Sequence, residues 1–142
     1  MRVEVDFPTD DRIRTRSKGM VFEIDPPPAH GGAPEAVGPF DLLLSALALC
    51  TGYQVRAFLK ERGLPHAAAG LGIDAVHDEE THLLKTVSFE IRVPDGFPEE
   101  YRDALVRAAE KCAVKAQLGR APEFEFSVAP AERRARGRQG DA

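Results

Sequence analysis

The stretch Pro39 to Gly63, PFDLLLSALALCTGYQVRAFLKERG, constrains this chain most, because it is long, apolar and marked at both ends as a helix. Pro39 suits a first helical position, where its missing N–H has no intrahelical partner to lose. Asp41 sets a carboxylate against the positive end of the helix dipole, and Lys60 and Arg62 set cations against the negative end. Gly63 can adopt the left-handed closing conformation, and Pro65 prevents continuation. Between these ends Leu42 to Cys50 is apolar nearly all round, which predicts a helix covered on most sides. Cys50 lies in its middle.

The chain before it is strand-like. Val3, Val5 and Phe7 alternate with charged residues; Pro8 to Asp11 breaks the pattern. Arg12 to Arg16 is a short, very basic strand, and Ser17-Lys18-Gly19 turns into a third strand, Met20 to Ile24. Asp25 to Gly38 holds four prolines and three glycines, so it is a long loop, either a plain connector or the wall of a pocket. After the helix, Leu71, Ile73 and Ala75 alternate, Asp78 to Thr81 turns, and Val87, Phe89, Ile91 and Val93 share one face of a returning strand, which is a hairpin. Pro98 to about Gln117 reads as one helix, with Tyr101, Leu105, Ala108 and Cys112 on a stripe and alanines beside it. Phe124, Phe126 and Val128 alternate as a last strand. From Ala131 the chain reads AERRARGRQGDA, an expected disordered tail over 131–142 that leaves a single domain over 1–130. The element order is α+β with antiparallel sheet.

At 142 residues the chain can bury a core. The net charge of −4 argues against nucleic acid as a partner. No uninterrupted apolar run reaches the roughly 20 residues of a membrane span. The N-terminus has no signal-peptide pattern, so no membrane and a cytoplasmic location are expected. The absence of Asn fits a thermophile's avoidance of labile amides, or a biased genome.

The chemistry-bearing residues are few. His30, His66, His77 and His82 have no metal spacing, no glycine-rich phosphate loop is present, and Ser45 is in mid-helix; no metal or cofactor is expected. Cys50 and Cys112 each lie on an apolar stripe. If the helices pack closely, the two can face each other; otherwise they are inert core residues, a common fate of buried cysteine.

Pro39 to Gly52 resembles the first-cysteine helix of the OsmC/Ohr family of thiol-dependent peroxidases, with its proline, acidic residue, Leu-rich run and Cys. Ala108-Ala109-Glu110-Lys111-Cys112-Ala113-Val114 is similar to the second-cysteine helix. The resemblance implies an intertwined homodimer in which antiparallel sheets wrap around long central helices, with both sites at the subunit interface. It implies reduction of organic (fatty-acid or alkyl) hydroperoxides through a Cys50–Cys112 pair in peroxide-stress defence. An external dithiol of lipoyl type would restore the thiols. The family's most active members add an arginine from an N-terminal strand, here Arg12, Arg14 or Arg16, and a glutamate ten positions before the first cysteine. That position is Phe40, with Asp41 one step further round the helix. The second motif reads Cys-Ala-Val where many members have Cys-Pro. Both departures point to the broader OsmC-like branch. Three readings compete: a peroxidase using Cys50, Cys112, Arg14, Arg12 and Asp41; a non-catalytic dimer holding a small apolar ligand; and a redox sensor signalling through the disulfide. The arginines also suit a solvated edge strand that uses charge to block pairing.

Overall fold

The computed structural model describes residues 2–9, 12–24, 31–32 and 37–128. Most of the Asp25–Gly38 loop and the 131–142 tail lie outside the described residues. The elements are β1 (Glu4–Thr9), β2 (Arg12–Ser17), β3 (Met20–Ile24), α1 (Pro39–Glu61), β4 (Gly70–His77), β5 (Leu84–Arg92), α2 (Arg102–Ala109) and α3 (Ala113–Leu118). A 3-10 turn, Glu99–Tyr101, leads into α2. The strands form two antiparallel sheets, β1-β2-β3 and β4-β5.

In the first sheet Lys18 and Gly19, at φ 47° and 80°, form the two-residue turn between paired Ser17 and Met20. Positive φ at both positions matches the turn to the strands' right-handed twist. Pro8, expected to end β1, is instead carried within it, because β1 is an edge strand and the register shifts between Asp6 and Thr9. One face of the sheet is apolar, with Val5 opposite Thr15 opposite Phe22 and Ile13 opposite Ile24; the other carries Asp6, Arg14 and Glu23 in one row. The sheet makes no substantial contact with the helices.

α1 begins and ends as its sequence predicts. Gly38 is the N-cap, and its N–H donates to Asp41 Oδ2 at 2.8 Å. At the other end Leu64 N–H reaches Leu59 O and Gly63 N–H reaches Lys60 O, with Gly63 at φ 63°, so the last carbonyls are satisfied. The expected cover on most sides is not found. Only the stripe Leu47, Thr51, Val55, Phe58 and Leu59 is buried, while Leu49 is 75% and Tyr53 66% exposed. Among the described residues α1 is met by the hairpin and the two short helices, enough for one side. By length and composition α1 could also cross a membrane, contrary to the count of uninterrupted apolar residues, because its isolated polar residues do not lower the window's mean hydropathy of 1.5 enough. Here it is the core helix. Val55, Phe58 and Leu59 meet Leu105 and Ala109 of α2, with Ile91, Val93, Phe97 and Tyr101 around them.

The hairpin registers Leu71, Ile73 and Ala75 opposite Ile91, Phe89 and Val87, so one face is continuously apolar. Its turn is held by Asp78 Oδ1, which accepts from Glu80 N–H at 3.1 Å, Thr81 N–H at 2.9 Å and the Thr81 hydroxyl at 3.0 Å.

Two expected elements differ. The single helix over Pro98–Gln117 is broken between Ala109 and Ala113, and the buried stripe runs through Ala109 rather than Ala108. Cys112 adopts an extended backbone, φ −70° and ψ 115°, and becomes the N-cap of α3. The strand expected at Phe124–Val128 does not form. Phe124, Phe126 and Val128 are 75%, 94% and 103% exposed, and among the described residues they pair with neither sheet.

Candidate functional site

The break before α3 gives the site its geometry. A cysteine in the middle of a continuous helix would have its sulfur beside a closed run of intrahelical hydrogen bonds. As an N-cap, the Cys112 sulfur instead accepts the Lys115 N–H at 3.3 Å, as a serine oxygen would. The sulfur is turned inward: Cys112 is 2% exposed. Opposite it, α1 presents Cys50 and Thr51. Thr51, 3% exposed, is the buried polar residue among the described core. Its hydroxyl and the Cys50 thiol both act as hydrogen-bond donors toward the Cys112 sulfur. The structure thus brings together the two cysteines that the sequence left either facing or apart. Both are free thiols, Cys112 buried and Cys50 half-buried.

Burial pushes the Cys112 thiol up, because a thiolate is costly away from water. The Lys115 N–H, the Cys50 thiol, the Thr51 hydroxyl and the Val114 N–H act the other way, and together they bring it below its ordinary 9.0. The two backbone donors come from the helix break, which the Cys-Ala-Val sequence does not announce, and the two side-chain donors come from α1. Sequence reasoning also missed Thr51; a hydroxyl directly after Cys50 in a Leu- and Ala-rich helix is the signal that could have found it.

The other candidate residues sit elsewhere in the subunit. Asp41 is nine residues before Cys50, about 13 Å along the helix at 1.5 Å per residue, with its carboxylate engaged by the Gly38 N–H. Phe40 lies against His77, ring centroids 5.2 Å apart. Arg14 makes a bidentate pair with Asp6, Nε to Oδ1 at 2.9 Å and Nη2 to Oδ2 at 3.0 Å. Arg16 adds a contact of 2.6 Å to the same carboxylate. Glu23 lies 3.5 Å from both Arg12 and Arg14. The Arg14 and then the Arg16 hydrogen bonds hold the Asp6 carboxyl well below the usual carboxylate range, and Asp6 in turn raises Arg14. Among the described residues this charged row is not brought to the cysteines.

Two clefts border α2. One, about 440 Å³, lies between β5 and α2 and is lined by Thr51, Val87, Phe89, Ile91 and Val106, with Glu110 and Lys115 also on its wall. The other, about 350 Å³, lies between α1 and α2 and is lined with cations. Among the described residues no group of His, Cys, Asp and Glu could hold a metal ion.

Solved structures share this architecture. An OsmC like protein from Mycoplasma pneumoniae superposes with TM-score 0.67 at 15% identity, over 83% of this chain and 86% of that one. An organic hydroperoxide resistance protein OsmC from Legionella pneumophila gives 0.56 at 19% identity, over 83% and 88%. The organic hydroperoxide resistance protein OhrB of Bacillus subtilis gives 0.52 at 23% identity, over 84% and 90%. Comparison with curated proteins gave no match. The family model for OsmC-like protein matches residues 31–127, which include α1, both cysteines and the β4-β5 hairpin. With that match over most of its length, and the fold common to these structures, the chain belongs to the OsmC-like protein family.

Proposed function

We propose that the protein is a thiol-dependent peroxidase that reduces organic hydroperoxides to alcohols in peroxide-stress defence, with Cys50 peroxidatic and Cys112 resolving. The observation that carries this reading is the capped, hydrogen-bonded Cys112 sulfur lying against the Cys50 thiol. Cys50, the less buried of the two, attacks the peroxide as its thiolate. The O–O bond breaks, the alcohol leaves with a proton, and Cys50 becomes a sulfenic acid. The Cys112 thiolate then attacks that sulfur, the S–O bond breaks, and water leaves as the disulfide forms. Donors already aimed at the Cys112 sulfur favour the anion that this step needs. An external dithiol, lipoyl-type by resemblance, takes the oxidising equivalents and restores both thiols. The apolar cleft beside Thr51 suits an alkyl or acyl chain better than hydrogen peroxide.

A homodimer belongs to this reading. Its support is the amount of apolar surface that one subunit leaves open: Leu49 and Tyr53 on α1, Val5 and Phe22 on the first sheet, Phe124 and Phe126 after α3. An arginine serving Cys50 would come from a second copy, and it would have to exchange Asp6 or Glu23 for the thiolate.

A second reading is favoured by Phe40, which stands where the resemblance places a glutamate. In it the same dimer holds a small apolar ligand without chemistry. Limiting organic hydroperoxide, with hydrogen peroxide in parallel, separates the two. Fast loss of both thiols, with the mass change of one intramolecular disulfide and a preference for the organic peroxide, is expected of the peroxidase. Persistent thiols would sink that reading in favour of the second.

A further inference from the structure

The cationic groove between α1 and α2 has no part in the steps above. Arg62 at the end of α1, Arg107 on α2 and Lys111 just after α2 converge on it. Its acid, Glu61, lies 3.8 Å from Arg62. Arg62 is held in place: its guanidinium stacks 3.7 Å from the Phe58 ring centroid, and Nη1 donates to Phe58 O at 3.4 Å. Arg107, on α2, and Lys111, in the turn that follows it, both line the groove and have no ion-pair partner among the described residues. On a chain of net charge −4 the groove is a local reversal of sign.

Its position is as telling as its charge. Gln54, at the groove's other end, is one helical turn from Cys50, and Lys111 precedes Cys112. The groove wall thus comes within one helical turn of Cys50 on α1 and within one residue of Cys112. The apolar cleft between β5 and α2 offers no comparable anion site, since Glu110 accompanies its one cation, Lys115.

We propose that this groove admits a thiol reductant that carries a carboxylate, with Arg107 and Lys111 holding the carboxylate while the thiol reaches Cys50. The inference rests on the Cys50–Cys112 redox pair. The reductant's thiolate attacks the Cys50 sulfur; a new S–S bond forms and the Cys50–Cys112 bond breaks. Cys112 leaves as a thiolate, toward the Lys115 N–H, and takes up a proton. A second reductant thiolate attacks the reductant's sulfur in the mixed disulfide, Cys50 leaves and is protonated, and the reductant departs as its own disulfide.

The test isolates reduction from peroxide turnover. The disulfide is closed with diamide in the full chain, and its reduction is timed with 3-mercaptopropionate and with the uncharged 3-mercaptopropionamide. R107E/K111E is expected to lower the ratio of the two rates about ten-fold, roughly what two reversed charges within a Debye length can do. Lys85→Glu, a charge reversal on β5, serves as the control and is expected to leave the ratio in place. In the unmodified protein the ratio should fall several-fold from about 0.01 to about 1 M salt, as the screening length contracts from roughly 30 to roughly 3 Å. A disulfide that closes but shows a ratio unmoved by both the double reversal and salt would overturn the groove alone. So would a ratio that Lys85→Glu moves equally. Failure of diamide to close the disulfide would overturn the redox pair and this inference with it.

Discussion

The Lys115 N–H donates to the Cys112 sulfur across 3.3 Å, so a thiol performs the capping task at the start of α3. The same contact that starts the helix also stabilises a negative sulfur. Structure and reactivity at this residue are therefore separable by substitution. Cys112→Ser keeps a capping acceptor and is expected to fold with nearly unchanged stability. Cys112→Ala loses the cap and leaves a small void, costing about 1–2 kcal/mol in urea denaturation. Neither variant closes a disulfide, so peroxide should halt at Cys50 oxidation in both. Equal stability of the two variants would remove the capping role.

The direction of the Cys112 shift fixes a pH dependence. Its folded value lies below the ordinary 9.0 of the unfolded thiol. Below the folded value the thiol is protonated in both states and contributes nothing. Between the two values the folded state releases its proton and the unfolded state keeps it, so stability rises with pH. Above 9.0 the gain is complete, and it is lost again as pH falls through the folded value. Denaturation of the reduced protein across this window should show the rise, and Cys112→Ser should flatten it. The rate of alkylation at Cys112 should level off below pH 9 in the same window.

Asp41 tests how much of a sequence reading is capping and how much is chemistry. Its carboxylate accepts the Gly38 N–H, two and a half turns from Cys50. Asp41→Asn keeps an acceptor; Asp41→Ala does not. The expected loss for alanine is about 1 kcal/mol of stability, with the Cys50 alkylation rate within two-fold of the unmodified protein. A Cys50 rate that falls ten-fold in either variant would instead place the charge in the reaction.

Where local rules decide the outcome, the sequence was legible. Pro39, Asp41 and Gly63 bound α1 because caps are local chemistry. The alternation in Val87, Phe89 and Ile91 gave the hairpin because one buried face permits one register. The break at Glu110–Cys112 was not legible: Ala, Glu and Lys all favour helix, and the turn inward is a tertiary choice that places a sulfur against α1. The Phe124–Val128 alternation is a strand pattern that joins neither sheet among the described residues, and α1 is covered on one stripe only, so both patterns ask for tertiary partners that local rules do not supply. For the site, the two cysteines were visible as stripes; their contact, Thr51 and the backbone donors were not.

The charged row of the first sheet predicts a titration. Removing Arg14 takes away the bidentate partner of Asp6 and leaves Arg16 at one oxygen. The Asp6 carboxyl in Arg14→Ala should rise toward 3.8, its value without partners. Carboxyl carbon NMR across the acid range would read the change directly. An Asp6 that titrates identically in both proteins would mean that Arg14 is engaged elsewhere, as it would be if a second copy drew it to a thiolate.

The last prediction concerns that second copy. Phe126 and Val128 are almost wholly exposed, and they alternate with Glu125 and Ser127 as a half-buried strand would. The first sheet leaves Val5, Ile13 and Phe22 open on one face, and α1 leaves Leu49 and Tyr53 open on one side. Three exposed apolar surfaces on a chain of 142 residues exceed what a soluble monomer commonly tolerates. Their joint burial between two copies accounts for all three with one contact, and the twofold relation repeats it. Light scattering is therefore expected to give twice the chain mass. F124E/F126E should weaken the pair at least ten-fold, while a chain ending at Pro130 should keep it, because the Arg-rich tail adds no apolar surface. Leu59→Ala, at a fully buried position within the subunit, should instead cost about 2–5 kcal/mol of stability. At fixed protein concentration its unfolding midpoint should drop more than its association changes. A monomeric mass for the unmodified chain at micromolar concentration would leave these surfaces without cover, and the proposed dimer would have to be given up.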